Sequence, residues 1–397
     1  MQDTNLSLYI EINEVNFIFL VGKQEGENNY QITYKLETKL EGVEDNRIAD
    51  LDKTYNAIKE NIYLLEQKLN YTFKEIILIL ENFNPTFINL SGYKRLNGSQ
   101  VLRENITYII NTLKSYIDRL EPKKTVLHIF NSKFFLDNKK IENLPIGLFG
   151  DFYSHELSFS LMNINDYKNL INIFDKCNLK IKKILLKSFL KGACLSNNNS
   201  NLDTFYSIKI NKENSKIFYF ENNSLKFEQY FNFGSDIILK DISKITSLKK
   251  DTIIKILDRA DYKNSLSEEE ILEKDLFEDN YRKIKKKLIY QIAHSRIKEL
   301  VEIMIHKNVN FHYYNKTPKI IFLENNDENY FRNLKEIFKV ILSTHGIAEI
   351  KSSDDLAYDN MIKVLNQLVH FGWKKEAIPV TKAKKSIISR IFDSLFS

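Results

Sequence analysis

The order of hydrophobic and polar positions along the chain predicts a mixed α/β protein. Short apolar or alternating runs are typical of strands, and apolar side chains repeated at helical spacing are typical of helices. Residues 7–34 carry three strand-sized runs, and residues 50–69 carry a helical stripe. The same criteria predict further strands at 75–81, 87–90, 126–130, 156–162 and 319–323, and further helices at 99–119, 164–178, 237–245, 250–261, 281–307, 329–342 and 360–372.

The second half of the chain begins in the same way as the first. Residues 205–210, 215–221 and 225–231 are predicted to form three consecutive strands, like the unit over 7–34. The polar run 197–201 separates the two halves, because clusters of asparagine and serine are typical of loops. A chain of 397 residues is long for one hydrophobic core, so several compact units are expected. The pattern therefore favours a duplicated α/β arrangement.

The last residues of the chain, 381–397, form an amphipathic pattern. At helical spacing, one half of the wheel is apolar and the other half is polar. Such a helix suits the membrane–water interface, where its cations meet anionic headgroups, and it is too short to span a bilayer. The alternative is a helix that packs against its own domain. The predicted membrane-binding residues are Lys384, Lys385, Ile387, Ile388, Arg390, Ile391, Phe392, Leu395 and Phe396.

Composition and charge narrow the function only a little. The chain has 58 lysines and arginines against 52 acidic residues, a net charge of +6, so no nucleic-acid partner is expected. Its two cysteines, Cys177 and Cys194, do not make a disulfide framework, and no signal peptide is expected, which favours a reducing cytosol. The histidines lack metal-ligand spacing, and no nucleophile motif is present. We therefore predict no metal site and no catalytic residue.

The run 127–152 carries the most specific likeness to a known family. It resembles a stretch of the FtsA family of bacterial actin-like cell-division proteins, and the positions that match in order and spacing are Phe134 or Phe135, Asp137, Ile141, Pro145, Gly147 and Gly150. Residues 296–300 resemble that family's long helix, and the amphipathic tail resembles its membrane-targeting helix. The resemblance implies an actin-like, ribonuclease-H-like duplicated ATPase fold with an inserted SHS2-type subdomain and a C-terminal amphipathic helix.

The resemblance also implies a division of the chain into subdomains. Subdomain 1A would be built from residues 1–71, 165–198 and 345–373, and the inserted subdomain 1C from residues 72–164. Subdomain 2A would be built from 199–242 and 301–344, with subdomain 2B at 243–300. Residues 374–383 would be a linker, and residues 384–397 the membrane-targeting helix.

The nucleotide-binding motifs of the family are degenerate in this chain. Actin-like ATPases hold phosphates in glycine-rich hairpins, because only glycine lets backbone N–H groups approach an anion so closely. The first hairpin falls on residues 10–16, with Glu11 at the acidic position and Asn13 in place of a glycine. The second falls on residues 209–220, where lysines replace both aspartates and no glycine is left.

The adenosine side of the site is degenerate as well. The family's glycine-rich segment falls on residues 322–329, with Asn325 at a glycine position, and only Gly234, in the run 234–236, resembles another glycine turn of the family. Only the resemblance implies ATP as a cofactor. Because the motifs are degenerate, we predict that ATP binding is lost or much weakened. The chain would be a pseudo-ATPase scaffold rather than an enzyme, with a weak ATPase as the alternative.

The resemblance implies a role in cell division. The chain would anchor FtsZ filaments to the cytoplasmic face of the plasma membrane at the division site and help to assemble the divisome. Its partners would be the FtsZ C-terminal tail, further copies of itself in a filament or oligomer, other divisome proteins through the inserted subdomain, and an anionic membrane surface. One alternative is a type IV pilus assembly protein of the PilM type. The other is a nucleotide-hydrolysing actin-like ATPase or sugar kinase.

Overall fold

The computed structural model describes residues 6–24, 30–81, 83–199, 202–258, 269–277, 281–314, 319–325, 329–344, 349–352 and 358–377. The chain divides into two compact units. One unit contains Met1–Ser200, Glu221–Lys226 and Ala357–Ser397. The other contains Asn201–Phe220 and Phe227–Leu356.

Sixteen strands and ten α-helices lie in the described residues. The strands are β1 (Leu6–Ile12), β2 (Asn16–Gln24), β3 (Tyr30–Lys39), β4 (Val43–Glu44), β5 (Arg47–Ile48), β6 (Glu75–Leu80), β7 (Thr86–Arg95), β8 (Lys124–Leu136), β9 (Lys139–Ile141), β10 (Phe152–Asn163), β11 (Lys180–Leu186), β12 (Phe205–Ile210), β13 (Ser215–Glu221), β14 (Ser224–Phe231), β15 (Ile320–Asn325) and β16 (Glu349–Ser352). The helices are α1 (Leu51–Leu69), α2 (Arg103–Leu120), α3 (Ile164–Lys176), α4 (Lys187–Asn198), α5 (Asp236–Thr246), α6 (Lys250–Asp258), α7 (Lys286–Val301), α8 (Val309–Tyr314), α9 (Asn329–Thr344) and α10 (Tyr358–His370). A π-helical turn, Glu302–His306, follows α7.

The first unit is built on a five-stranded sheet in the order β11-β6-β1-β2-β3. Strand β1 is antiparallel to β2 and parallel to β6, and β6 is parallel to β11. One face of this sheet packs against α1 and α3 in a core of aliphatic and aromatic side chains such as Ile10, Phe17 and Phe174. Helix α1 begins where predicted because Asp50 caps it: the Asp50 side chain accepts a hydrogen bond from the Lys53 N–H at 3.0 Å.

A second sheet, in the order β7-β10-β8-β9, lies between β6 and α3 in the chain. Helix α2 packs on it with its apolar stripe, which includes Ile106, Ile109 and Leu113. Gly92 on β7 makes this close packing possible, because a Cβ at that position would lie 2.6 Å from Cγ2 of Ile109.

The second unit repeats the topology of the first sheet. Its five strands lie in the order β14-β13-β12-β15-β16, with β12 antiparallel to β13 and parallel to β15. In both sheets, three consecutive strands are followed by two strands that add in parallel on the far side of the first. Helices α5, α6, α7 and α9 pack against one another beside this sheet. The predicted duplication, including the three-strand opening of each half, is confirmed.

Two predicted helix starts are wrong, each because a backbone pairing with another part of the chain keeps the preceding residues extended. Helix α2 begins at Arg103 rather than near 99, since residues 100 and 101 pair with residues 148 and 149 and stay extended. Helix α7 begins at Lys286 rather than 281, since Lys285 bridges to Ile271. Helix α3 begins at Ile164 as predicted, and it is capped by Asn163, whose side chain accepts a hydrogen bond from the Asn165 N–H.

Within the part of the chain that the structure describes, no helix meets the length and hydropathy of a transmembrane span.

Candidate functional site

The carboxyl ends of β1, β6 and β11 lie side by side at one edge of the first sheet. Ile12, Leu80 and Leu186 occupy the same level, since Leu80 pairs in register with both of the others. In open sheets of parallel strands, ligands bind at this edge. Glu11 directly precedes this level on β1, whereas Glu81 and Lys187 directly follow β6 and β11. All three residues are buried.

Glu11 and Lys187 form a buried ion pair at this edge. The Lys187 ammonium donates a hydrogen bond to Oε1 of Glu11, and only 1% of Glu11 and 7% of Lys187 is exposed. Lys187 is the first residue of α4, directly after β11, so the sheet register brings it to Glu11 across 176 positions of sequence. The other carboxylate oxygen of Glu11, Oε2, has no hydrogen-bond partner among the described residues. A buried carboxylate is costly without a counter-charge, and Lys187 supplies that charge.

Asn13 closes the turn between β1 and β2 with its own side chain. Its Oδ1 accepts hydrogen bonds from the N–H groups of Val15 at 2.8 Å and Asn16 at 2.7 Å. In a glycine-rich phosphate hairpin, backbone N–H groups of this kind face the anion. Here they are bound within the hairpin itself.

The corresponding turn of the second unit is closed in a similar way. Gly234 lies against the turn after β12, because a Cβ there would be 2.3 Å from the carbonyl oxygen of Asn211. The following N–H groups of Ser235 and Asp236 donate to the carbonyl oxygens of Asn211 and Lys212, both at 2.9 Å. The first N–H groups of α5 therefore bind the β12–β13 turn.

The remaining predicted positions of the second unit lie at the same end of its sheet. The backbone of Asn325 pairs in register with Ile210, the last residue of β12. Lys209 pairs with Lys216 across β12 and β13 and occupies the position that Glu11 has in the first unit. Lys216 forms a buried ion pair with Glu228 at 2.9 Å.

These residues do not fit a magnesium–nucleotide group. Glu11 has an ammonium at one of its oxygens, the hairpin N–H groups of Val15 and Asn16 are bound by Asn13, and the second hairpin carries lysines where the family has aspartates. Magnesium binding in such a site needs free carboxylate oxygens together with phosphates. Within the described residues, no group of three or more histidine, cysteine or acidic side chains could hold a metal ion.

A short segment after α10, residues 375–377, pairs with β8 as an additional strand; we call it the strap. The Asn131 N–H donates to the Lys375 carbonyl, and the Ala377 N–H donates to the Ile129 carbonyl, both at 2.7 Å. Glu376 lies between these bonds, opposite Phe130. The strap thus ties the chain to the inserted sheet, a few residues before the predicted tail.

Glu376 fixes the strap through two part-buried contacts. Its Oε2 accepts from Lys183 Nζ at 2.8 Å, and its Oε1 lies 3.3 Å from His128 Nδ1. Nε2 of His128 accepts from the Leu186 N–H, so Nδ1 carries the proton and donates it to Glu376. Burial opposes the charge of Glu376, but the bond from His128 and the charge of Lys183 hold the pKa of this carboxyl below its ordinary value. Burial lowers the pKa of His128, against the opposing effect of Glu376.

Glu376→Gln should loosen the strap. The variant removes the charge that Lys183 faces, so the amides of Asn131 and Ala377 should exchange with solvent faster, by about tenfold for a loss of 1.4 kcal/mol. Hydrogen exchange followed by mass spectrometry measures this. Lys374→Gln is the matched control, because Lys374 directly precedes the strap, is exposed, and places its ammonium over the Trp373 ring instead.

The same contact predicts a pH dependence. Since the folded pKa of Glu376 lies below its ordinary value of 4.5, its contribution is present above about pH 4.5 and is lost as the pH falls through the folded pKa. After correction for the intrinsic pH dependence of amide exchange, the protection of the strap amides should therefore fall in acid in the unmodified chain. Equal acid sensitivity in Glu376→Gln would contradict this assignment.

A second buried ion cluster lies in the first unit, around Lys226. Its ammonium donates to the hydroxyls of Ser132 and Ser158 and lies 3.2 Å from Oε1 of Glu156 and 3.7 Å from Oε2 of Glu221. The side chain of Lys226 is fully buried. Burial lowers the pKa of Lys226, while the two carboxylates act in the opposite direction. The cluster therefore joins residues 221–226 to β8 and β10.

The predicted membrane-binding residues, Lys384 to Phe396, lie outside the described residues. Their assignment stays a prediction. Lys187 and Glu376 are site residues that the sequence pattern did not predict. A lysine inside the apolar run 184–190 is the one signal that pointed to Lys187, whereas nothing in the local sequence marked Glu376.

Comparison with known proteins gives the family likeness. No protein-family model matches the chain. The chain is 22% identical over 307 residues to cell division protein FtsA of Buchnera aphidicola subsp. Schizaphis graminum (strain Sg), which covers 76% of this chain and 73% of the relative. It is also 22% identical over 251 residues to cell division protein FtsA of Buchnera aphidicola subsp. Acyrthosiphon pisum (strain APS), covering 63% of this chain and 59% of the relative.

The predicted resemblance to FtsA is confirmed. The FtsA relatives indicate a role in cell division. Among solved structures, the chain resembles a protein of the PilM-PilN type IV pilus biogenesis complex, with a TM-score of 0.53 and 10% identity over 92% of this chain and 96% of that one. At this identity the likeness concerns the fold alone, and with the duplicated sheets it confirms the predicted actin-like fold class.

Proposed function

We propose that this chain is a cell-division adaptor that anchors FtsZ filaments to the cytoplasmic face of the plasma membrane at the division site. The observation that carries the proposal is the FtsA likeness over 307 residues. The amphipathic pattern of residues 384–397 supports the membrane part, because an apolar helical face beside lysines suits an anionic lipid surface. The likeness to the PilM-PilN structure concerns the fold and gives no separate support to a pilus role.

The strap supports a mechanical reason for this arrangement. A membrane helix anchors a filament through the chain that joins it to a folded domain, and the point where this chain leaves the domain is its root. Residues 375–377 supply such a root, since two backbone hydrogen bonds and the Glu376 contacts hold them to β8. One amphipathic helix binds lipid only marginally, so self-association into a filament or oligomer would supply avidity.

The subdomains of the adaptor would bind different partners. We assign the sheet β7-β10-β8-β9 and α2 to the inserted SHS2-type subdomain, predicted at 72–164, which would contact neighbouring copies and other divisome proteins. Subdomain 2B, predicted at 243–300, would bind the FtsZ C-terminal tail. The divisions at 199–242, 301–344 and 345–373 follow from the same resemblance.

Vesicle co-sedimentation tests the adaptor role. Purified full-length chain is mixed with vesicles of phosphatidylglycerol and phosphatidylethanolamine and with FtsZ polymerised by GTP. We expect FtsZ to sediment with the vesicles only when the chain is present. FtsZ without its C-terminal tail is the matched control and should stay in the supernatant. If intact FtsZ stays there too, the adaptor role is wrong.

We further propose that the adaptor works as a scaffold with lost or much weakened ATP binding. The ion pair of Glu11 with Lys187 and the closed turn at Asn13 support this, since an ammonium occupies one oxygen of Glu11 and the hairpin N–H groups of Val15 and Asn16 are bound by Asn13. Isothermal calorimetry of the purified chain with ATP and Mg²⁺ should give no binding at micromolar concentration. A micromolar dissociation constant would contradict this part of the proposal and leave the adaptor role standing.

A further inference from the structure

The carboxyl edge of the first sheet carries two buried acidic side chains. Glu11 pairs in register with Ile79, and Glu81 lies two residues further along the chain, so both acidic side chains are on the same face of the sheet. Lys187 has the corresponding position after β11, because Leu186 pairs with Leu80. Two carboxylates and one ammonium therefore share one face of one edge.

The contacts of Glu11 indicate that this edge is suited to hold a cation. Glu11 is 1% exposed, and its Oε1 accepts from Lys187, yet its Oε2 has no hydrogen-bond partner among the described residues. A buried carboxylate with one unused oxygen, facing a cation, is half of a cation-binding arrangement. The positive charge beside Glu11 is the ammonium of Lys187, a side chain of the same protein.

We propose that Lys187 is a tethered cation, which supplies to Glu11 the positive charge that a divalent metal would otherwise supply. This inference rests on the proposed loss of nucleotide binding. The ammonium is held beside Glu11 by α4 and β11, so its effective concentration there exceeds that of free Mg²⁺ in solution. Magnesium bound by a single protein carboxylate is weakly held and keeps most of its water, so it does not displace the lysine.

The proposal predicts a latent metal site. Without Lys187, Glu11 would be a buried, uncompensated carboxylate, and a divalent cation could take the vacated place with Glu81 on the same face. In the unmodified chain, Lys187 therefore occupies a potential cation-binding site at Glu11. A residue that only filled space would not have this role.

Manganese binding to Lys187→Met tests the proposal. Mn²⁺ is the probe because electron paramagnetic resonance detects its bound and free forms directly. We expect the unmodified chain to bind no Mn²⁺ and to keep its thermal midpoint when Mn²⁺ replaces EDTA. Lys187→Met should have a lower midpoint in EDTA, bind one Mn²⁺, and regain most of the lost midpoint with it.

Two further variants separate this role from a general loss of charge. Glu11→Gln/Lys187→Met should bind no Mn²⁺ and should be more stable in EDTA than Lys187→Met alone. Lys191→Met removes a lysine one turn further along α4 and should leave Mn²⁺ binding absent. If Lys187→Met does not fold in EDTA, refolding in Mn²⁺ is the readout, and we expect folded protein only with the metal.

The outcomes that overturn the proposal are distinct from those that overturn the proposed function. Mn²⁺ binding by the unmodified chain, or none by Lys187→Met, would show that Lys187 does not stand in for a metal. Failure of Lys187→Met to fold under both conditions would also count against it. ATP–Mg²⁺ binding measured by calorimetry would instead contradict the proposed loss of nucleotide binding.

Discussion

A chain that ends after Pro379 should lose its membrane association and spread evenly through the cell, whereas the intact chain should form bands at the division site. The truncation removes every apolar residue of the predicted tail helix and its lysines. Burying each CH₂ group in the acyl region contributes about 0.8 kcal/mol, so six large apolar side chains carry most of the expected binding energy. Fluorescence microscopy of the two chains measures the fraction of signal at mid-cell.

Point variants in the tail test the orientation of the helix. Phe392→Glu places a charge on the apolar half of the wheel and should release the chain from anionic vesicles in flotation. Ser389→Glu places the same charge on the polar half and is the matched control, which should still float with the vesicles. An identical response of the two variants would show that the tail does not bind as an amphipathic helix. A diffuse signal from the intact chain would reject the anchoring role.

Lys226→Ala should cause the largest loss of stability that the described residues predict. Lys226 is fully buried between Glu156 and Glu221, and its removal leaves the two carboxylates with only the partly exposed Lys133 as a counter-charge. Removing one partner of a buried ion pair costs about 3–5 kcal/mol, because the remaining charge is not compensated. A thermal midpoint falls by roughly 2–4 °C per kcal/mol in a domain of this size, so differential scanning calorimetry should detect a shift of several degrees.

Two comparisons distinguish the buried charge from the loss of a side chain. Lys133 contacts the same two carboxylates, at 3.2 and 3.9 Å, but 26% of its side chain is exposed. Lys133→Ala should therefore cost less than about 1 kcal/mol. Glu156→Gln/Glu221→Gln/Lys226→Met should recover much of the midpoint, because it removes the charges together. Equal shifts for Lys226→Ala and Lys133→Ala would show that the cluster is not stabilised by its buried charge.

The sequence pattern predicted best those elements whose apolar side chains repeat with a strong helical or strand period. Helix α1 and the three strands of each opening unit have it, and the structure places them close to the predicted bounds. Strand β11 was missed, because its lysines interrupt the apolar run, and only the pairing with β6 makes it a strand. The start of α2 was wrong for a related reason, since contacts with residues 148 and 149 hold residues 100 and 101 extended.

The candidate site shows the same limit at the level of single residues. The degenerate glycine positions at Asn13 and Asn325 could be read directly from the residue types. What Asn13 does with its side chain could not, because the bonds to Val15 and Asn16 depend on the turn that β1 and β2 form. Likewise, no local pattern shows that Glu376 meets Lys183, since 193 positions separate them.

By itself, the sequence determined the mixed α/β class, the two halves that open alike, the loss of the glycine hairpins and the amphipathic tail. These are properties of residue type and spacing over short stretches, and they need no knowledge of distant neighbours. Only the tertiary structure decided that Lys187 neutralises Glu11 and that residues 375–377 pair with β8. Such partners are set by strand register and by the order of strands in a sheet, and a shift of one residue would turn each side chain to the opposite face.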